Sequence, residues 1–303
     1  MAYDLDKRLV IGVSTRTLFD LSCENRIFER QGLEAYRKYQ IEHEEEILRP
    51  GPGFALVRAL LSINESADNN DSRVEVIIMS HNNADTSVRL FRSIAYYGLH
   101  ITRAVFSGGS PLLPYLNAFG TDLFLSANEV DVQQAIDSSI AAGIICTDGR
   151  TGYFADACID QIRIAFDGDA VLFSDESEQI FKRDGLKAFE ENERRLADSP
   201  LKEGPFARFL KALSSLQRES DGRIPIRTAL VTSRCAPAHE RVVRTLRAWN
   251  VRVDEAFFLG GVSKRDVLAA FGAHIFFDDQ EIHTRKAAEV VPAALVPARS
   301  RAG

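Results

Sequence analysis

Along the chain, short apolar runs bounded by Gly, Asp and Ser alternate with longer stretches in which apolar residues recur every three or four positions. IRIAF (162–166) and RTALVTS (227–233) have the first pattern and read as buried strands. SEQIFKRDGLKAFEENERRLA (177–197) and GPFARFLKALSSLQ (204–217) have the second and read as helices. APAHERVVRTLRAWN (236–250) reads as a helix with Pro near its start, followed by a short strand in EAFFLG, a helix in SKRDVLAAFG and a strand in HIFFDD. Apolar strands alternating with helices predict an α/β protein with parallel sheets flanked by helices on both faces. Ligands in such sheets bind beyond the carboxyl ends of the strands. The polar residues collect there: Asp167 and Asp169 after the first of these strands, Thr232 and Ser233 after the second, Asp278 and Asp279 after the last.

The same pattern occurs twice. YLNAFGTDLFLSANE (115–129) lies over VLAAFGAHIFFDDQE (267–281) without a gap, and VFSGG (105–109) lies over FFLGG (257–261) at the same offset of 152. Residues 74–129 and 226–281 share 13 identities in 56 positions, and 15 further pairs exchange one apolar residue for another, a register that chance rarely holds so long. Upstream the offset is 153, pairing FERQGLEAY (28–36) with FKRDGLKAF (181–189). The chain reads as an internal duplication: one Rossmann-like unit over 8–145, a linker over 146–160, and a second unit over 161–297 with a small helical insert at about 174–204.

Composition narrows the classes. The 303 residues are 45% hydrophobic and 26% charged, enough to bury a sizeable core. A net charge of -6 and a pI near 5.6 argue against nucleic acid as a partner. Cys23, Cys146, Cys158 and Cys235 have neither CxxC nor metal-finger spacing and read as reduced thiols. No run approaches 18 uninterrupted apolar residues, and MAYDLDKRLVIGVS lacks the apolar segment of a secretory signal, so a cytoplasmic protein without membrane contact is expected.

In RIAFDGDAVLFSDE (163–176), two carboxylates one residue apart follow a buried strand, an arrangement that is costly unless a cation or a shared proton compensates. DGDAV (167–171), the hydroxyls closing ALVTS (229–233), Lys264 opening a later helix and FFDD (276–279) together resemble the four ordered motifs of haloacid dehalogenase-like (HAD) phosphohydrolases. FDGDAVLFSDESE, APAHERV (236–242), TLRAWNV (245–251), FFDDQ (276–280) and FERQGLEAY are similar, more narrowly, to type I cytosolic 5′-nucleotidases, over roughly residues 8–297. The resemblance implies Mg²⁺-dependent hydrolysis of nucleoside 5′-monophosphates. It implies Asp167 as nucleophile forming an aspartyl phosphate, and Asp169 as the acid that protonates the leaving oxygen and the base that activates water. Mg²⁺ would be held by carboxylates of Asp167, Asp278 and Asp279 and the main-chain carbonyl of Asp169. Thr232 and Lys264 would meet the phosphoryl group, with Ser233 and Arg234 as further substrate contacts. The motifs equally permit a phosphatase or phosphotransferase acting on another small phosphate ester, and a non-catalytic nucleotide-binding protein would require the second copy to be as eroded as the first.

Set against the second copy, the first has Ser14 for Asp167, Arg16 for Asp169, Ser80 for Thr232, Leu112 for Lys264, and Ser126 and Ala127 for Asp278 and Asp279. The apolar pattern survives without the acids, so the fold does not require them. Simpler readings exist: Thr232 and Ser233 as caps of the next helix, Lys264 as a surface lysine, and His283 as a surface histidine. Phe181 and Phe189 in the insert could stack on a base, but Phe28 and Tyr36 at the same positions of the first copy favour packing. SHNNADT (80–86) and SGGSP (107–111) in the first copy could bind a nucleotide effector without cleaving it. A homo-oligomer is compatible with the sequence.

Overall fold

Ten strands carry the scaffold in the computed structural model, which describes residues 4–66, 72–147, 161–219 and 226–300. They are β1 (Leu9–Val13), β2 (Val74–Ser80), β3 (Arg103–Phe106), β4 (Leu123–Ser126), β5 (Ala141–Ile145), β6 (Ile162–Phe166), β7 (Ile226–Thr232), β8 (Glu255–Phe258), β9 (Ile275–Asp278) and β10 (Ala293–Leu295). All ten join one sheet in the order β8-β7-β6-β9-β10-β5-β4-β1-β2-β3. The first five stand as 3-2-1-4-5 and the last five in the corresponding order, 8-7-6-9-10. Within each set every pairing is parallel; the join between the sets, Ala294 opposite Ile145 and Leu295 opposite Ile144, is antiparallel.

The sequence predicts separate parallel sheets, and the structure has one continuous sheet. The join pairs backbone groups that two open sheet edges would leave unsatisfied. Strands inside the sheet are buried on both faces, as β1, β2, β4 and β9 are throughout, whereas the edge strands β3 and β8 are only partly buried. One apolar cluster runs from Ile11 and Phe54 through Phe124 to Phe166, Phe206 and Phe277, across the join.

Among the described residues, ten α-helices of six residues or more flank the strands: α1 (Ser22–Glu42), α2 (Phe54–Ser62), α3 (Val88–Tyr96), α4 (Leu113–Ala118), α5 (Glu129–Asp137), α6 (Glu176–Arg195), α7 (Ala207–Glu219), α8 (His239–Ala248), α9 (Lys264–Phe271) and α10 (Glu281–Ala287). Most predicted elements lie within three residues of these bounds. Two differ in kind. The stretch 177–197 reads as one helix, but α6 breaks at Gly185 (φ 82°, ψ -178°), as α1 does at Gly32 (φ 82°, ψ -176°), a region of backbone space open essentially to glycine alone. The stretch 236–250 becomes helical only at His239, because Pro237 belongs to a turn that lifts the chain off the end of β7. Residues 148–160 of the predicted linker, Cys158 included, lie outside the described residues. None of the helices among the described residues is long and apolar enough to cross a membrane.

Candidate active site

The carboxyl ends of β6, β7 and β9 converge beneath α6. Asp167 follows β6 directly, and its backbone N–H donates to the Phe277 carbonyl at 2.8 Å, fixing it beside β9. Asp278 ends β9 and is fully buried; one of its carboxylate oxygens accepts the Gln280 N–H at 2.8 Å. Lys264, the first residue of α9, is buried between them, with Nζ 2.8 Å from Asp167 Oδ1 and 2.6 Å from Asp278 Oδ2. It is therefore no surface lysine. Carboxylate oxygens of Asp167, Asp278 and Asp279 lie within 4.8 Å of one another. Thr232 ends β7 and is buried, and its hydroxyl accepts the Arg234 N–H at 3.2 Å. A Cβ at residue 168 would lie 3.2 Å from that hydroxyl, so the glycine between the two aspartates lets β6 and β7 place them side by side. Ser233 is exposed. No side chain caps α8, so Thr232 and Ser233 do not serve as its caps.

Burial raises the Asp167 carboxyl to about 7, against the opposing pull of Lys264 and with a further push from Asp278. Burial, then the charges of Asp167 and Glu178, raise Asp279 to about 8. Burial acts upward on Asp278 too, but its charged and polar neighbours, Lys264 among them, outweigh it and hold that carboxyl below its ordinary range. Burial disfavours the Lys264 ammonium, and the two flanking carboxylates more than restore it.

Asp169 is held differently. Arg234 grips its carboxylate with both arms, Nε to Oδ2 at 2.8 Å and Nη2 to Oδ1 at 2.7 Å. The third guanidinium nitrogen reaches Glu193 of α6, which also accepts from Arg241 at 2.9 Å and from Ser177 Oγ at 2.8 Å. Arg234 is thus a buried strut between Asp169 and α6, engaged by carboxylates on both sides. Glu193, Arg241 and Glu178 were not singled out from sequence, because each stands in a helix crowded with charge. The signal was present for Glu193, four residues after the inward-facing Phe189 and therefore on the same face of α6. His283, expected on the surface, lines the cavity with Nδ1 3.3 Å from Asp278 Oδ2 but without hydrogen-bond alignment.

These groups open into a cavity of about 330 Å³ that reaches from Asp167 and Thr232 to Phe181 and Phe189 under α6. Phe189 packs edge-on against Phe181, ring centres 6.2 Å apart, and lies beneath the Arg234 guanidinium at 5.2 Å. Phe181 keeps 47% of its surface, so the pair both packs and faces the cavity.

Set beside known proteins, residues 1–302 match the family model described as 5′-nucleotidase. The chain belongs to the 5′-nucleotidase family. Human cytosolic 5′-nucleotidase 1B is 38% identical over 285 residues, 91% of this chain and 46% of that protein, so the chain spans about half the length of that curated relative. Members of the 5′-nucleotidase family are phosphoric monoester hydrolases, and the site has features such chemistry uses. Buried Asp279 Oδ1 has no hydrogen-bond partner among the described residues. Of the three clustered carboxylates, Asp167 and Asp278 share the Lys264 ammonium, and all the donors are hard oxygens. This set fits a small, hard divalent cation such as Mg²⁺. The Asp169 carboxylate stands apart from the cluster, leaving its main-chain carbonyl as the group it would offer a metal.

Proposed function

We propose that the protein is a Mg²⁺-dependent 5′-nucleotidase that hydrolyses nucleoside 5′-monophosphates through an aspartyl phosphate. The observation that carries this reading is the cluster of Asp167, Lys264, Asp278 and Asp279 at the strand ends, opening into a cavity large enough for a small ligand, in a chain of this family. A phosphate monoester dianion repels nucleophiles, so the protein has to position an attacking oxygen and neutralise charge. Mg²⁺, held by Asp167, Asp278, Asp279 and the Asp169 carbonyl, would supply that neutralisation on the phosphoryl oxygens.

The remaining chemistry belongs to side chains. Lys264 keeps the Asp167 oxygen oriented, Thr232 donates its hydroxyl to a phosphoryl oxygen, and Ser233, at the exposed lip, is a further contact. Asp167 attacks phosphorus as the bond to the ribose oxygen breaks. Asp169 gives that oxygen a proton, then takes one from the water that attacks the aspartyl phosphate, returning Asp167 and releasing phosphate. Arg234 aims Asp169 and ties it to α6, a positioning role in place of the direct phosphate contact read from sequence.

Three features support descent of residues 8–145 and 161–297 from one duplicated unit, the first having lost its acids: the corresponding strand orders, the matched breaks at Gly32 and Gly185, and the matched ring pairs Phe28–Tyr36 and Phe181–Phe189. On this reading α6 is the cap insert of the catalytic unit. A cytoplasmic location is proposed by analogy with the human relative, a cytosolic 5′-nucleotidase.

Phosphate release from ribo- and deoxyribonucleoside 5′-monophosphates, with sugar phosphates as controls, tests the proposal with Mg²⁺ and with EDTA. Wild type should release phosphate from nucleotides only with Mg²⁺, and Asp167→Asn should lower the rate by roughly 10³-fold or more. Release from sugar phosphates alone would overturn the nucleotide assignment.

A further inference from the structure

Beyond β1, β2 and β3 lies a second cavity, of about 360 Å³, roofed by α1 as the first is roofed by α6. Its charge is of the opposite sign. The cavity under α6 is lined by Asp167, Asp169, Glu178 and Glu190 against Arg234 and His283, whereas the described residues lining the cavity under α1 include Arg16, Arg37 and His81 and no carboxylate. In the aligned halves Arg16 stands where Asp169 does and Arg37 where Glu190 does. The acids of the cluster are matched by the neutral Ser14, Ser126 and Ala127, as loss of a site would leave them, but Asp169 and Glu190 are matched by arginines, a reversal of sign that loss alone does not require.

The basic side chains differ in how far they are already engaged. Arg37 pairs with Asp85 at the lip, and His81 Nε2 is held by the buried Asp131 at 2.8 Å. Arg16 is half-buried and has no carboxylate or hydrogen-bond partner among the described residues. A half-buried guanidinium with no carboxylate beside it is open to an anion, and its planar fork suits phosphoryl oxygens. Across the cavity Phe28 and Tyr36 meet edge-on with centres 6.1 Å apart, and Asn82 Nδ2 donates to the Tyr36 hydroxyl at 2.9 Å. Ser14, in the place of the nucleophile, shares a hydrogen bond with Thr17 at 3.0 Å, and among the described residues no acid cluster stands beside it.

We propose that this cavity binds a nucleotide by its phosphate, Arg16 holding the phosphoryl oxygens and the aromatic pair facing the base, and keeps it intact. The anion half stands on the cavity's own charge. The nucleoside half rests on reading the similar cavity under α6 as a nucleotide site. Unlike that site, the one under α1 needs no metal, because its positive charge comes from side chains.

Isothermal titration of the full chain with adenosine 5′-monophosphate in EDTA separates the two. Wild type and Asp167→Asn should each show one metal-independent site, with adenosine binding at least tenfold more weakly. Arg16→Ala should weaken the nucleotide at least tenfold without shifting the thermal unfolding midpoint, since Arg16 anchors nothing else. Absence of metal-independent binding, binding unchanged in Arg16→Ala, or equal binding of adenosine would each overturn the proposal. Failure of the hydrolysis reading would appear separately, as no Mg²⁺-dependent phosphate release by wild type.

Discussion

At the scale of single residues, the carboxyl cluster links the site to stability. Asp167 and Asp279 bind protons more tightly when folded than when unfolded, so metal-free protein is favoured below their ordinary values near 4 and loses that advantage as pH rises through about 7 and about 8. Asp278 works in the opposite direction, its contribution fading only as pH falls below the usual carboxylate range. A bound divalent cation favours the charged forms. Mg²⁺ should therefore raise the thermal unfolding midpoint much more at pH 8 than at pH 5, and Asp279→Asn should shrink that difference. Equal Mg²⁺ shifts at the two pH values would show that the cluster is not where the cation binds. Asp167, Asp169, Asp278 and Asp279 were visible in sequence because acids after apolar runs stand out. Glu193 and the strut through Arg234 were not, since in α6 one inward-facing acid looks like its exposed neighbours.

At the scale of elements, α6 owes its shape to one residue. Nothing lies within 4 Å of where a Cβ on Gly185 would sit, so Gly185→Ala carries only backbone strain, about 1–3 kcal/mol in urea unfolding. Because the break sets Phe181 and Phe189 over the cavity, the same substitution should raise KM for a nucleotide. Gly32→Ala should cost similar stability and leave hydrolysis unchanged, and equal kinetic effects from both would sink the assignment of α6 as the roof of the active site. Strands and helices were legible because apolar period and burial agree along β6, β7 and β9. The breaks were not, because a glycine inside a charged helical stretch reads as tolerated. The pairing of β5 with β10 was equally hidden: it joins residues about 150 positions apart through short strands whose partner no local pattern names.

At the scale of the whole molecule, the shared core and the continuous sheet tie the halves together. Trp249, the single tryptophan, packs against Phe173 and reports on the C-terminal half, whereas far-ultraviolet circular dichroism reports on both. The two signals should change in one coincident transition in urea. An earlier dichroism change that left fluorescence intact would show that the halves unfold separately and that the join contributes little.

The antiparallel join also sets direction. Since β1–β5 run one way and β6–β10 the other, the two cavity mouths open at opposite ends of the molecule. A molecule leaving one mouth is diluted into bulk solvent before it can reach the other, so neither opening can feed or plug its counterpart. Each therefore samples the concentration of its ligand in the surrounding solution, independently of turnover at the far end.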